Sequence, residues 1–237
     1  MNDQLRSALD RALKDRANPT KATAMQAYMK SAMPFLGVAS PERKLVYKEV
    51  FSRYRLPDAP AWRTAARALW DGATHREYRY AAIGLLNALI YRSFRSLEAF
   101  ALYEHMIVDG AWWDYVDEVA VHLVGSLLRK EPEVMSIRMR EWAVDQNLWR
   151  RRTSIICQLG AKEAVDLRLL YDCIEPSIES KEFFARKAIG WALRQVARRQ
   201  PDEVVRYVQA HADRLSGLSK REALKHLLQR GDIDAIP

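Results

Sequence analysis

The stretch RKEPEVMSIR, residues 129–138, returns in altered form as RRQPDEVVRY at 198–207, and this echo decides how the chain is read. Both copies run from two cations through Pro into a mixed acidic and apolar segment. Pro is tolerated in the first turn of a helix, where the missing N–H has no intrahelical partner. Downstream of each copy comes a Gln-x-Gly triplet, QLG at 158–160 and QRG at 229–231. A repeated helix pair in the size range of HEAT and armadillo units gives an echo of this kind. The echo is short, and on sequence alone an irregular helical bundle remains open.

The rest of the chain reads the same way. Apolar residues recur at three- and four-residue spacing, and no segment alternates as a strand does. Expected helices cover 3–16, 20–32, 41–54, 59–71, 75–91, 96–108, 112–128, 132–143, 147–158, 163–174, 181–198, 201–213 and 219–229. Asn18-Pro19, Ser40-Pro41 and Gln200-Pro201 mark starts. Thr74-His75-Arg76-Glu77 and Ser219-Lys220-Arg221-Glu222 read as capping boxes. Short connections throughout give one all-α domain over residues 1–237, built from stacked antiparallel helix pairs.

Composition narrows the class. Nine Gly and nine Pro are too few for the turns of an all-β sandwich or barrel of this length. Two cysteines make no disulfide framework, and no His or Cys cluster has zinc-ligand spacing, so neither metal nor cofactor is expected. The polar start MNDQLRSALDRALKDRANPTKA is unlike a secretory signal, and the longest uncharged apolar run, AAIGLLNALIY at 81–91, is far short of the ~20 residues that span a bilayer. A cytoplasmic protein without a membrane partner is expected. The net charge of +8 favours phosphate-bearing or other anionic partners.

Three helix faces call for explanation. In AWWDYVDEVAVHLVG, 111–125, and just beyond it, the residues Trp112, Val116, Val119, Ala120, Leu123 and Leu127 form a buried stripe. Trp113 and Asp117 stack one turn apart, about 100° around the helix from it. Either Trp113 widens the core while Asp117 favours a helix N-terminus, or an aromatic wall and an anion face a cleft. In 180–200, Lys187, Trp191, Arg194 and Arg198 share a face, and 183–200 holds five cations and no acid. An aromatic inserted in a basic stripe suits a phosphate backbone with a sugar or base against it. In NLWRRRTSIICQLG, 147–160, Arg152 interrupts the apolar row of Leu148, Ile155, Ile156 and Leu159. That guanidinium needs an anion or a cleft, and a structural salt bridge explains it as well as a ligand does.

WWDYVD at 112–117, NLWRRR at 147–152, SKEFFARKAIGWALR at 180–194, LSKREALKH at 218–226 and AYMKSAMPFLGVASPERK at 27–44 together resemble the AlkD-type DNA alkylation-repair glycosylases. The resemblance runs from about residue 20 to residue 230 and is poor around 159–178. It implies a HEAT-like repeat α-solenoid whose basic concave groove cradles duplex DNA. It also implies hydrolysis of the N-glycosidic bond of N3- and N7-alkylated purines by a monomer acting from the groove, without insertion of the base. By motif position the catalytic carboxylate falls on Asp117, the sugar-contacting aromatics on Trp113 and Trp191, and the groove arginine on Arg152. Tyr28 falls near the DNA. With Lys187, Arg194 and Arg198 these make the expected DNA-binding set. The competing readings are a non-catalytic helical-repeat scaffold for DNA or protein and a metal-dependent phosphodiesterase; no carboxylate/His constellation supports the latter.

Overall fold

The computed structural model describes residues 2–237, and among them there is no strand. The chain forms two compact units, the first ending at Leu102 and the second running from Tyr103 to Pro237. No described helix is long and apolar enough to cross a membrane.

In the first unit, α1 (Asn2–Lys14) buries Leu5, Leu9 and Leu13, spaced one turn apart, and packs on α3 (Ser40–Arg53). Between them, α2 (Pro19–Met29) starts at the expected Asn-Pro pair, and the Asn18 carboxamide accepts the Lys21 amide at 2.9 Å. The pair α4 (Ala59–Asp71) and α5 (Arg76–Asn87) encloses Trp62, Trp70, Leu85 and Leu86. The helix expected over 75–91 stops at Asn87, and a 3₁₀ turn, Leu89–Phe94, follows. Side chains take its last carbonyls: Trp62 Nε1 donates to Leu85 at 3.1 Å and Arg95 Nε to Leu86 at 3.1 Å.

The first expected capping box does not form. Glu77 is fully buried, and its carboxylate accepts the amides of Leu36, Gly37 and Val38 at 3.0, 2.9 and 3.2 Å. Gly37 has φ +85°, and a Cβ there would lie 2.0 Å from the Asn18 carbonyl oxygen, so this turn accepts only glycine. Glu77 therefore holds a loop from about 40 residues earlier in the chain rather than capping its own helix.

The second unit carries the faces singled out above. The division between units falls within α6 (Phe100–Gly110). Trp112 then serves as the extended N-cap of α7 (Trp113–Glu118), which passes through a π-helical turn, Val119–Val124, into α8 (Gly125–Lys130). Val116, Val119, Ala120, Leu123 and Leu127 are fully buried as the stripe predicts. Gly125 permits close packing, since a Cβ there would lie 2.3 Å from the Cys157 carbonyl oxygen.

Next come α9 (Pro132–Ala143), α10 (Leu148–Ile156), α11 (Leu167–Ile174), α12 (Phe183–Ala197), α13 (Pro201–Ala210) and α14 (Gly217–Arg230). Helix α10 packs on α9, α11 and α12, and α12 on α13 and α14. Helices next but one in sequence meet in the pairs α9–α11, α10–α12 and α12–α14, as stacked helix pairs do. The echoed Pro132 and Pro201 each open a helix, the equivalent place in the two copies.

Candidate active site

Helix α10 lies against both α7 and α12, and Arg152 joins all three. Its Nε donates to Asp117 Oδ1 at 2.7 Å, its Nη2 to Asp117 Oδ2 at 2.8 Å, and its Nη1 to the Phe184 carbonyl at 2.7 Å. The planar fork thus engages both carboxylate oxygens at once, which a lysine cannot do. The Arg152 side chain is 5% exposed and that of Asp117 14%, so the carboxylate is the more open end of the pair. A carboxylate has about four lone-pair sites, and the guanidinium takes two of them.

An aromatic cluster reaches the guanidinium through Phe184. Phe184 lies 5.8 Å from it, and the Phe184 ring packs on Trp149 at 5.0 Å and edge-on to Trp112 at 5.6 Å. Trp112 is half-buried in this cluster, at the head of its stripe rather than deep within it. Burial of the ions away from water has an electrostatic consequence. Burial pushes the Asp117 carboxyl above the usual aspartate range, and the charges of Asp114 and Glu118 add to this, while the Arg152 hydrogen bonds pull against it without cancelling it.

Trp113, half-buried, sits one helical turn before Asp117. Trp191, also half-buried, lies on α12 about two turns beyond Phe184. The carboxylate, the guanidinium and the aromatic cluster are therefore brought together, with Trp113 on the same short helix. Tyr28 is on α2, in the first unit, and is 77% exposed.

The stripe on α12 differs from its reading as a face without acid. Glu222, from α14, accepts from Lys187 Nζ at 2.7 Å and from Arg194 Nη1. Burial alone would raise the Glu222 carboxyl, but the two cations hold it below its usual range. Glu222 is thus a helix-to-helix clamp and not the end of a capping box; the α14 N-cap is Ser216, which accepts the Ser219 amide at 3.0 Å. The local signal for this clamp was Gly190, a glycine inside a helical pattern. A Cβ on it would lie 2.5 Å from Glu222 Cβ and 2.9 Å from the Ser219 carbonyl oxygen, which is how closely α14 crosses. Arg198, in contrast, is exposed at the end of α12 with no acidic partner among the described residues.

A family model for DNA alkylation repair enzymes matches residues 9–227, spanning both compact units. The chain belongs to the DNA alkylation repair enzyme family. A solved structure of a "predicted DNA alkylation repair enzyme from Enterococcus faecalis" is similar at 31% identity and a TM-score of 0.81, over 90% of this chain and 97% of that one. No curated protein matches. The family is the AlkD-like one that WWDYVD, NLWRRR and SKEFFARKAIGWALR resemble, and the fold class is all-α, of the HEAT-like helical-repeat kind.

Proposed function

We propose that this family member is a DNA glycosylase that releases N3- and N7-alkylated purines from duplex DNA, with Asp117 as its catalytic carboxylate. The observation that carries this reading is the Arg152–Asp117 pair: a carboxylate held on both oxygens by an almost fully buried guanidinium, yet itself the more open partner. An ordinary surface ion pair has no need of such a setting.

The chemistry follows from the substrate. An N3- or N7-alkylated purine already carries positive charge, so it leaves without protonation and one carboxylate suffices, unlike the paired acids of sugar hydrolysis. As the C1′–N bond breaks, its electron pair neutralises the base and positive charge passes to the deoxyribose. Asp117 stabilises that charge and orients a water for attack at C1′; the water's oxygen forms the new bond and its proton leaves to the carboxylate or to solvent. The products are a neutral alkylpurine and an abasic site. Trp113 and Trp191 add the attraction of their ring faces for the cationic sugar. Arg152 positions the carboxylate.

Incubation of the protein with a duplex carrying 7-methylguanine, with free base quantified, tests this. Release by the wild type and a loss of about 100- to 1,000-fold in Asp117→Asn are expected. Equal release by both proteins removes Asp117 from the mechanism. Salt-sensitive duplex binding without release favours a non-catalytic DNA-binding protein.

A further inference from the structure

Since Lys187 and Arg194 are engaged by Glu222, the α12 face must find its open positive charge elsewhere, and it does so at its far end. A cavity of about 400 Å³ opens there, between the end of α10, the 159–165 connection, α11 and the last turns of α12. Ile155, Leu159, Val165, Leu170, Ala192 and Val196 give it an apolar floor. Its rim carries Lys162, Arg198 and Arg199, and no acid lines it. Glu163 pairs with Arg199, while Lys162 and Arg198, both exposed, have no acidic partner among the described residues. Gln195, half-buried and one turn beyond Trp191, supplies an amide at the same wall.

We infer that this cavity binds the phosphate of a nucleotide unit, held by Lys162 and Arg198 with the sugar against the apolar floor. Charge supports it: the ends of α10 and α12 contribute about half a negative charge each, which falls off within the last turn, against two unpaired cations. Lys162 has φ +56°, a left-handed backbone that a lysine does not adopt by preference, so the loop holds it in place at a cost. The cavity also continues the Trp191 face. From Trp191 to Arg198 is about 10 Å along the helix, the length of about three nucleotide steps of one strand. Two sources offer the same chemistry, a DNA strand and a free nucleotide. Insofar as the strand is the source, the inference rests on the glycosylase reading and adds an anchor for the backbone a few nucleotides from the lesion.

The test uses the intact chain and the exposed pair Lys162→Ala/Arg198→Ala, with Arg138→Ala as a control. Arg138 is an exposed cation on α9, paired with Glu141. Duplex affinity is measured against salt concentration by fluorescence anisotropy on undamaged DNA, so the readout is independent of base release. Removal of one cation from a phosphate lowers the slope by about 0.9 and weakens binding roughly five- to tenfold at about 0.1 M salt. A drop of about two in slope for the double variant, and a much smaller one for Arg138→Ala, is expected if a strand fills the cavity. In parallel, deoxyadenosine monophosphate is titrated and followed by NMR. Saturable shifts at Lys162, Gln195 and Arg198 without a change in duplex slope support the cavity with a free nucleotide as its source. Salt-dependent duplex binding that the double variant and Arg138→Ala reduce equally, with no nucleotide shifts, overturns the cavity and leaves the glycosylase reading standing. Absence of salt-dependent binding by the wild type counts against the glycosylase reading itself, and the nucleotide titration then decides the cavity alone.

Discussion

Replacing Arg152 by Met should destabilise the protein strongly, and replacing Asp117 as well should restore stability while leaving no activity. Arg152→Met keeps an unbranched apolar stem but removes the guanidinium, and so strands the largely buried Asp117 carboxylate without its cation. Removing one partner of a buried pair costs about 3–5 kcal/mol. Because Asp117 keeps 14% exposure, the low end of that range applies, and the lost bond to the Phe184 carbonyl falls within it. At about 2–4 °C per kcal/mol for a chain of this size, the melting temperature should fall by about 6–12 °C. The pH dependence has a definite sign. Asp117 already has a raised carboxyl pKa in the folded state, and loss of Arg152 raises it further. A raised folded pKa contributes stability that is present at acid pH and lost as pH rises through it, so the deficit should be larger at neutral than at acid pH. In Asp117→Leu/Arg152→Met, two apolar side chains of similar volume replace the ions, and such exchanges are neutral or stabilising by about 1–4 kcal/mol. Melting followed by circular dichroism and base release from a 7-methylguanine duplex, measured together, give the answer. The reasoning is refuted if Arg152→Met melts like the wild type, or if the double variant is no more stable than the single one.

Three further outcomes follow from the same geometry. The acid limb of the pH–rate profile for base release should lie above the ordinary aspartate value of 3.8, because the raised Asp117 carboxyl must be ionised to act; single-turnover rates across acidic buffers measure it. Glu222→Gln removes one negative charge from between Lys187 and Arg194, so affinity for undamaged duplex should rise and the salt slope should steepen by about one. Gly190→Ala forces a methyl group into the α12–α14 crossing and should cost about 1–3 kcal/mol, read as a lower melting temperature with helix content unchanged below the transition.

What could be read from sequence was whatever depends on neighbours along the chain. The stripe Val116–Leu127 and the Pro-marked starts of α2, α3 and α13 follow from local periodicity and backbone rules, and they stand in the structure. The functions of Glu77 and Glu222 were not legible for the same reason. Both fit a capping pattern three residues after a Thr or Ser, but tertiary partners prevail over the local ones. Three backbone amides 39 to 41 residues away hold Glu77, and two cations 28 and 35 residues away hold Glu222. Arg152 is the intermediate case. Its interruption of an apolar row announced that an anion was needed, and the absence of acid from 146–162 showed that the anion lay elsewhere. Only the packing of α7 on α10 names it as Asp117.

The distribution of paired and unpaired cations makes sense of a net charge of +8 in a protein proposed to act on a positively charged base. A cationic lesion and an oxocarbenium-like sugar are both repelled by unpaired arginines, and more strongly where water is excluded. Yet phosphates must be attracted to bring the duplex in at all. On the glycosylase reading, the ion pairs separate these demands. Near Asp117 every cation of the NLWRRR run is matched: Arg150 by Glu104 and Asp145, Arg151 by Glu182, and Arg152 by Asp117 itself. Lys187 and Arg194, on either side of Trp191, share Glu222. The unpaired cations Lys162 and Arg198 line the cavity at the far end of α12, with Arg198 about two helical turns beyond Trp191. On the glycosylase reading, these pairs lower the positive potential beside Asp117 and Trp191, and Lys162 and Arg198 keep it at the proposed phosphate cavity. On the glycosylase reading, the acids Glu182 and Glu222 act without touching the substrate, by neutralising Arg151, Lys187 and Arg194 on the helices that carry Arg152 and Trp191.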